Sequence, residues 1–173
     1  EPPSSGGVLY NPYTTLAGFL NTFTADEQNA LLDTSLTVAK NTVTDGGGSE
    51  TVADKVFLLS NTEVGLANEN GIAEGSLLAL FSTSSNRIAQ PTAAAVSNSD
   101  YTNASLNASS AWYWWLRTPY ASDSCNVRGV STGGTLNYYN AYYGFGGLRP
   151  ACNLSGDTGI SETVDEDGCY TII

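Results

Sequence analysis

The chain of 173 residues contains no histidine and no methionine, and it has only six lysines and arginines against 17 aspartates and glutamates. Without histidine, the commonest general base and the usual triad partner are both missing. The net charge of −11 argues against a nucleic-acid or anionic-membrane partner, because phosphate contacts need clustered basic side chains. No apolar run is long enough to cross a bilayer, so we expect no membrane insertion.

Cysteine is also scarce, with single residues at Cys125, Cys152 and Cys169. The absence of C-x-x-C spacing and of histidine leaves a zinc site without support. Cys152 and Cys169 could form a disulfide, or all three thiols could stay reduced, and the sequence leaves both open. The acidic stretch 165–168 lacks the spacing of a calcium loop, which favours a solvated turn. We therefore expect no metal, no cofactor and no enzymatic activity.

The remaining composition is that of a folded protein, with 41% hydrophobic and 13% charged residues. The length suits a single domain with a sizeable core. The Pro, Ser and Gly residues near the beginning predict a frayed segment over 1–10, followed by one domain over 11–173. Because the chain begins at Glu1 and lacks methionine, we expect a processed product or an excised domain.

Local patterns in the first half predict short helices. The sequences 24–27 and 60–63 are capping boxes, in which Thr or Ser and a later Glu satisfy the first amides of a helix. After the first box, Ala30, Leu31 and Leu36 fit one helix face. The apolar run 56–59 predicts a buried strand, followed directly by the second short helix. A glycine-rich loop is expected over 45–49 and an irregular segment over 92–110.

Strand and turn patterns dominate after position 112. Strands are predicted over 112–116, 126–131 and 135–139, and the last two flank Thr132-Gly133-Gly134, which is a common hairpin signal. A last central strand is expected around 148–154, and an edge strand over 168–173. The sequence therefore predicts an α+β fold, with short helices in the N-terminal half and a small, mainly antiparallel sheet in the C-terminal half.

Aromatic residues are concentrated in one region, about 114–152. Five of the ten tyrosines lie between Tyr120 and Tyr143, interleaved with Asn, Ser, Gly and Ala. Tyrosine offers large contact area at low entropic cost and the small polar residues adapt their hydrogen bonds, as in antibody paratopes. We interpret this region as an exposed binding face. Its predicted residues are Tyr120, Ser122, Asp123, Asn126, Arg128, Tyr138, Tyr139, Asn140, Tyr142, Tyr143 and Phe145.

Four residues near the two ends of this region are predicted to be structural. Trp114 and Trp115 alternate along a strand, so at least one ring is expected in the core. Arg117 and Arg149 are single cations in apolar surroundings. Each is expected to satisfy buried carbonyl groups or a carboxylate and not to bind ligand.

Several motifs in a fixed order carry a family resemblance. They are DKVFLLS at 54–60 with Glu63-Val64 after it, Arg87-Ile88-Ala89, WWLRTP at 114–119 and LRPA at 148–151. This order resembles the DUF6273 family of bacterial and phage-associated domains. The family is similar to the formylglycine-generating-enzyme branch of the C-type lectin fold. That resemblance implies a C-type-lectin-like fold, which also hosts the hypervariable proteins of diversity-generating retroelements.

The leading hypothesis is a non-enzymatic module that binds a protein or surface receptor through the tyrosine-rich face, on a virion or bacterial cell surface. In retroelement diversification, template adenines are rewritten, and asparagine codons become codons for Tyr, Asp, Ser, Gly and others. The region 120–145 is rich in those residues. A fixed structural or adhesion domain and a degenerate formylglycine-type enzyme remain as alternatives. The sequence leaves the ligand and the oligomeric state open.

Overall fold

The computed structural model describes residues 20, 23–166 and 168–172. The predicted frayed segment 1–10 lies outside these residues. The chain divides into two compact units. Of the described residues, the smaller unit comprises those up to 34, 54–56 and those from 152 onward, and the larger one comprises 35–53 and 57–151.

The secondary structure consists of short elements. Along the chain they are α1 (Ala25–Ala30), β1 (Thr34–Ala39), β2 (Ser49–Asp54), β3 (Phe57–Leu58), two 3-10 helices (Ala79–Phe81 and Ser84–Arg87), α2 (Ala93–Ser97), β4 (Trp114–Pro119), β5 (Asn126–Val130), β6 (Leu136–Asn140) and β7 (Pro150–Ala151). The strands form the sheets β1-β2, β3-β7 and β4-β5-β6. The α+β class with small antiparallel sheets is confirmed. None of the described helices approaches the length and apolar character that a membrane crossing needs.

The three-stranded sheet β4-β5-β6 is antiparallel throughout. Its β5-β6 hairpin turns where the two glycines predicted it, with the Ser131 amide donating to the Thr135 carbonyl over 2.9 Å. Gly134 has φ +76°, a left-handed conformation that glycine adopts without strain. Strand β4 begins at Trp114, two residues later than predicted, and Trp112 forms an isolated bridge with Ala89 instead.

The core of the larger unit is formed where β4 and β5 meet the segment around 59–64. The buried cluster consists of Leu59, Val64, Phe81, Trp114, Leu116 and Val130. Strand β3 pairs with β7, which places Phe57 opposite Ala151 beside this cluster. The predicted strands at 56–59 and 148–154 are thus present as two-residue strands, and Leu148 is largely exposed.

Helix α1 begins at the predicted capping box but is shorter than the apolar pattern indicated. The Thr24 amide donates to Glu27 over 2.7 Å, and the Glu27 amide donates back to the Thr24 hydroxyl. The helix ends at Ala30, and Lys55 Nζ donates to the carbonyls of Gln28 and Leu31 near its C-terminus. The placement of Leu36 on this helix face was therefore wrong, since Leu36 is buried on β1.

The second capping box forms its hydrogen bonds without starting a helix. Ser60 and Glu63 exchange bonds of 2.8 and 3.2 Å between backbone amides and side chains. The chain then turns at Gly65, whose φ is +70°, and the Leu66 amide closes the turn on the Asn61 carbonyl at 2.8 Å. This is the pattern that ends helices. The predicted helix is therefore a single turn over 61–65.

Two further predictions need correction. The segment 92–110 contains α2, which is capped by the Thr92 hydroxyl, so the helices are not confined to the N-terminal half. Within the smaller unit, the predicted edge strand over 168–173 is reduced, among its described residues, to one bridge between Ile160 and Ile172. Asp165 accepts from the Gly168 and Cys169 amides. The chain therefore turns here as predicted, and the Ser161 amide donates to the Thr171 carbonyl at 2.8 Å next to the bridge.

Candidate functional site

Tyr138 and Tyr139, which are adjacent on strand β6, lie on opposite faces of the sheet. Tyr138 lies opposite Arg128 on β5, and Tyr139 lies opposite Val127. Because side chains alternate along a strand, neighbours in sequence point away from each other. Tyr138 and Tyr139, both predicted to lie on one binding face, therefore belong to two different groups of side chains.

The first group is a patch formed by Tyr120, Arg128 and Tyr138. The two tyrosine rings stack with centroids 4.2 Å apart and planes 6° from parallel. The Arg128 guanidinium lies over both rings, 4.5 Å from the Tyr120 centroid and 5.7 Å from that of Tyr138. Planar cations stabilise such ring faces by about 0.5–2 kcal/mol. We call these three residues the Tyr120 patch.

Glu69 fixes the orientation of this patch. Its Oε1 accepts from Arg128 Nε at 2.7 Å and lies 2.6 Å from Arg128 Nη2. The Arg128 side chain is only 12% exposed, so the patch presents tyrosine and not a free cation to solvent. Tyr138 itself is 45% exposed. No sequence pattern pointed to Glu69, which lies 59 positions before Arg128.

The second group is an aromatic cluster formed by Tyr113, Trp115, Tyr139 and Phe145. Phe145 meets the other three at centroid distances of 5.7, 5.7 and 4.7 Å. Tyr139 also meets Tyr113 and Trp115 edge-on at 5.5 and 5.9 Å. Tyr139 and Phe145, both predicted to bind ligand, are therefore engaged in packing and only partly open to solvent.

Burial raises the pKa of Tyr139 to about 12, with a smaller contribution from the charge of Tyr113. The Tyr139 hydroxyl accepts a hydrogen bond of 2.7 Å from Asn137 Nδ2. The phenol is thus neutral at physiological pH and held in one orientation. It is suited to hydrogen bonding and not to work as a base.

Tyr142 and Tyr143 form an exposed tip beyond β6. They are 68% and 45% exposed, and their rings meet edge-on at 4.8 Å. The Tyr143 amide donates to the Asn140 carbonyl at 3.0 Å, which closes the turn. A side-chain hydrogen bond with Tyr143 raises the pKa of Tyr142. This tip has the exposure that the sequence predicted for a contact surface.

The loop before β5 carries the remaining predicted residues. Ser122 is exposed, whereas Asp123 and Asn126 are half-buried. Asp123 Oδ1 accepts from the Cys125 amide at 2.8 Å and from its Sγ at 2.9 Å, and Cys125 Sγ lies 2.9 Å from Asn140 Oδ1.

The hydrogen bond to Asp123 raises the pKa of the Cys125 thiol, and burial and the Asp123 charge add to it. The thiolate is the reactive form of cysteine, so this environment lowers the reactivity of Cys125. Cys152 is an exposed thiol, and the pairing with Cys169 that the sequence left open is not formed here. Over the described residues, no group of three or more Cys, Asp or Glu side chains is arranged to hold a metal ion.

Arg117 lies on β4 and is held by several charge-assisted hydrogen bonds. Its guanidinium donates to Glu63 at 2.6 and 3.1 Å and to the carbonyls of Leu58 and Glu74 at 2.8 and 2.7 Å. The side chains of Arg117 and Glu63 are only 10% and 11% exposed. This geometry favours the structural role predicted for Arg117.

Arg149 is held mainly by aromatic rings. Its guanidinium lies 5.1 Å from the ring centroids of both Phe81 and Trp114, and it donates one long bond of 3.4 Å to the Asn86 carbonyl. Burial lowers the pKa of Arg149. Trp114 is buried in the core, where its Nε1 donates to the Arg87 carbonyl, and Trp115 is buried within the aromatic cluster.

A shallow cleft of about 800 Å³ lies beside the aromatic cluster. Its lining adds Tyr101, Asn103 and Trp112 to residues of the cluster. None of these three residues was predicted to bind ligand. The only sequence signal for Tyr101 is that it is an aromatic residue within an Asn- and Ser-rich stretch. Its ring centroid lies 6.1 Å from that of Phe145, which is far away in sequence.

These observations define an α+β protein whose three-stranded antiparallel sheet carries aromatic residues on both faces. The family described as a domain of unknown function, DUF6273, matches residues 14–156. The chain belongs to this family. No curated protein and no solved structure matches the chain.

Proposed function

We propose that this protein is a non-enzymatic binding module that contacts a protein or surface receptor, on a virion or a bacterial cell surface. The observation that carries the proposal is the exposure of Tyr138, Tyr142 and Tyr143 at 45%, 68% and 45%. Exposed aromatic surface of this kind marks interaction sites. Tyrosine is also among the residues that dominate interface energies.

The rigidity of the surrounding structure supports the same proposal. The Tyr120 patch is ordered by stacking and by Glu69, and the tip is closed by a backbone hydrogen bond. Side chains that are already ordered lose little entropy on binding, so more of the contact energy appears as affinity. A C-type-lectin-like fold is part of the proposal, on the strength of the motifs shared with the family.

Diversification of this surface by a retroelement belongs to the proposal as well. Variable positions must tolerate replacement, and Ser122, Tyr138, Tyr142 and Tyr143 meet that condition by their exposure. The coding DNA tests it: we expect a nearby imperfect repeat of codons 114–152 that differs at adenines, close to a reverse transcriptase. Absence of such a repeat would contradict diversification but not binding.

A fixed adhesion domain is the second candidate, and the packing of Tyr139 and Phe145 favours it. Each of these residues meets at least three other rings. Their replacement would disturb the aromatic cluster, so at least part of the tyrosine-rich region must stay constant.

Binding is tested with arrays of bacterial envelope proteins and host surface proteins. The triple variant Tyr138→Ser, Tyr142→Ser, Tyr143→Ser is compared with wild type and with Tyr170→Ser. Tyr170 is a matched control because it is 61% exposed and lies in the smaller unit. We expect array signals that fall about tenfold or more in the triple variant, as for interface hot spots, and that persist in the control. Array signals that are equal in both variants would contradict the proposal.

A further inference from the structure

We propose that the cleft beside the aromatic cluster is a metal-independent binding site for a neutral oligosaccharide. The cleft lies in the larger unit, and its volume of about 800 Å³ is within the range of about 300–1,000 Å³ typical of small-molecule sites. Its lining includes Tyr139 and Phe145, which the sequence predicted to bind ligand, but not Tyr138, Tyr142 or Tyr143, which carry the proposed receptor contact. The inference therefore does not depend on that contact.

Five rings form the apolar part of the cleft. They are Tyr101, Trp112, Tyr113, Tyr139 and Phe145. Their positions are fixed by mutual contacts, since the ring centroid of Tyr101 lies 6.4 Å from that of Trp112 and 6.1 Å from that of Phe145. Trp112 Nε1 also donates to the Phe145 carbonyl at 2.7 Å. The rings therefore offer a preformed surface that a flat ligand can cover at small entropic cost.

Uncharged hydrogen-bonding groups form the other part. They are Asn103, Ser105, Asn107, Ser110 and Thr132. Asn103 Oδ1 accepts from the Ser105 amide at 2.9 Å, and Asn107 donates to the Ser105 carbonyl at 3.0 Å. These bonds to the Ser105 backbone hold the loop 103–107 in one conformation. Within the described part of the chain, Asn103 Nδ2 and the hydroxyls of Ser105 and Ser110 make no bond to protein and remain available to a ligand.

The chemistry of the lining selects the ligand class. Among the described residues, no charged side chain lines the cleft, so the lining offers an ionic ligand no counter-charge, and the net charge of −11 disfavours anions in particular. A purely apolar ligand would leave the amide and hydroxyl groups without partners when it displaced their water. A sugar ring has C–H faces that cover aromatic rings and hydroxyl edges that exchange hydrogen bonds with amides and hydroxyls.

Metal-dependent sugar recognition is a different chemistry from the one proposed. Calcium sites use several carboxylate or carbonyl oxygens around the ion. None of the described residues that line the cleft carries a carboxylate, and recognition here would rest on the rings and the neutral polar groups. The proposed binding is therefore expected to persist in the presence of a chelator.

The test is an array of neutral gluco-, manno-, galacto- and N-acetylglucosamine oligosaccharides with sialylated and sulfated counterparts, in buffer containing EDTA. We expect binding to neutral glycans and weaker signals for the anionic ones. The neutral glycan with the strongest signal is then titrated, and its binding is followed by calorimetry and by tryptophan fluorescence. Binding should change the fluorescence because Trp112 lines the cleft. Absence of neutral glycan binding by folded protein, or preference for anionic glycans, overturns the inference.

Two variants with changes in the cleft test whether glycan binding occurs at this site. Tyr101→Ala removes an exposed ring, and Asn103→Asp keeps the oxygen that caps the Ser105 amide but replaces the free amide nitrogen with a charged oxygen. Each is expected to weaken glycan binding about tenfold or more, by analogy with truncations at interface hot spots. Should Tyr101→Ala fail to fold, Asn103→Asp carries the test alone.

The triple variant of Tyr138, Tyr142 and Tyr143 is the control, and it should retain glycan binding. Glycan affinity that is unchanged in both cleft variants would place the binding elsewhere and overturn the inference. Binding to proline-rich peptides in place of glycans would overturn it as well, because aromatic grooves also recognise such peptides. Loss of receptor signals in the triple variant with intact glycan binding separates the two sites.

Discussion

Replacement of Arg117 by Met should be among the most damaging single changes in this protein. Methionine preserves much of the aliphatic stem, so the change isolates the guanidinium. It removes a two-pronged pair with Glu63, at 2.6 and 3.1 Å, together with donors to the carbonyls of Leu58 and Glu74. Loss of one partner from a buried pair costs about 3–5 kcal/mol, because the other charge stays buried and unpaired. We expect a loss of this size in the free energy of unfolding.

The assay is equilibrium unfolding in urea, which leaves ionic strength unchanged. The double variant Glu63→Gln, Arg117→Met removes the stranded charge, whereas the substituted side-chain amide retains an oxygen for the Ser60 amide that Glu63 now binds at 2.8 Å. We therefore expect the double variant to be more stable than Arg117→Met by about 1–3 kcal/mol, since neighbouring changes of this kind are not additive. A loss below about 1 kcal/mol for Arg117→Met, or a double variant no more stable than the single, would refute the reasoning.

Further predictions concern the packing around the sheet. Arg149→Ala should lower the free energy of unfolding by about 1–2 kcal/mol, because it removes two cation–ring contacts and one long hydrogen bond. This loss is smaller than the one expected for Arg117→Met. Thermal unfolding measures it, and an unchanged melting temperature with lost ligand binding would contradict a structural role. The stabilisation of the folded protein by Tyr139 should decline as the pH rises from about 10, the ordinary pKa of tyrosine, to about 12, the pKa of Tyr139 in the folded protein. Its pKa is raised on folding, so its contribution is complete below pH about 10 and declines as pH rises through this window; urea unfolding at several pH values should show a smaller decline for Tyr139→Phe. Gly146→Ala should cost about 1–3 kcal/mol, because its Cβ would clash with Trp115 Nε1; wild-type stability by urea unfolding would show that Trp115 yields without cost.

The sequence predicted those parts of the fold that depend on neighbouring residues. The hairpin of β5 and β6 was predictable because Gly133 and Gly134 permit a tight turn between alternating strands. The capping box at Thr24 was predictable because its two hydrogen bonds are local. The same reasoning failed after Ser60, where the capping bonds form but Gly65 ends the turn at once. A capping box predicts where a helix begins and gives no information about its length.

The candidate site was only partly predictable. Its exposed tyrosines were found from composition, and their division between two faces follows from the alternation of Tyr138 and Tyr139 along one strand. Partners distant in sequence were not predictable. Glu69 fixes Arg128 across 59 positions, and Tyr101 meets Phe145 only because the loop before β4 packs beside the sheet. A single sequence contains no signal for such contacts.

The contrast between Tyr138 and Tyr139 limits what a variable surface can be in this protein. Tyr138 is 45% exposed and meets the Tyr120 ring and the Arg128 guanidinium, so its replacement removes one stack. Tyr139 meets three rings and holds a hydrogen bond with Asn137. Diversification that reached both positions would produce many variants with a damaged aromatic cluster. If this region is diversified, adenine-derived changes should therefore accumulate at position 138 and at the tip, and position 139 should remain aromatic.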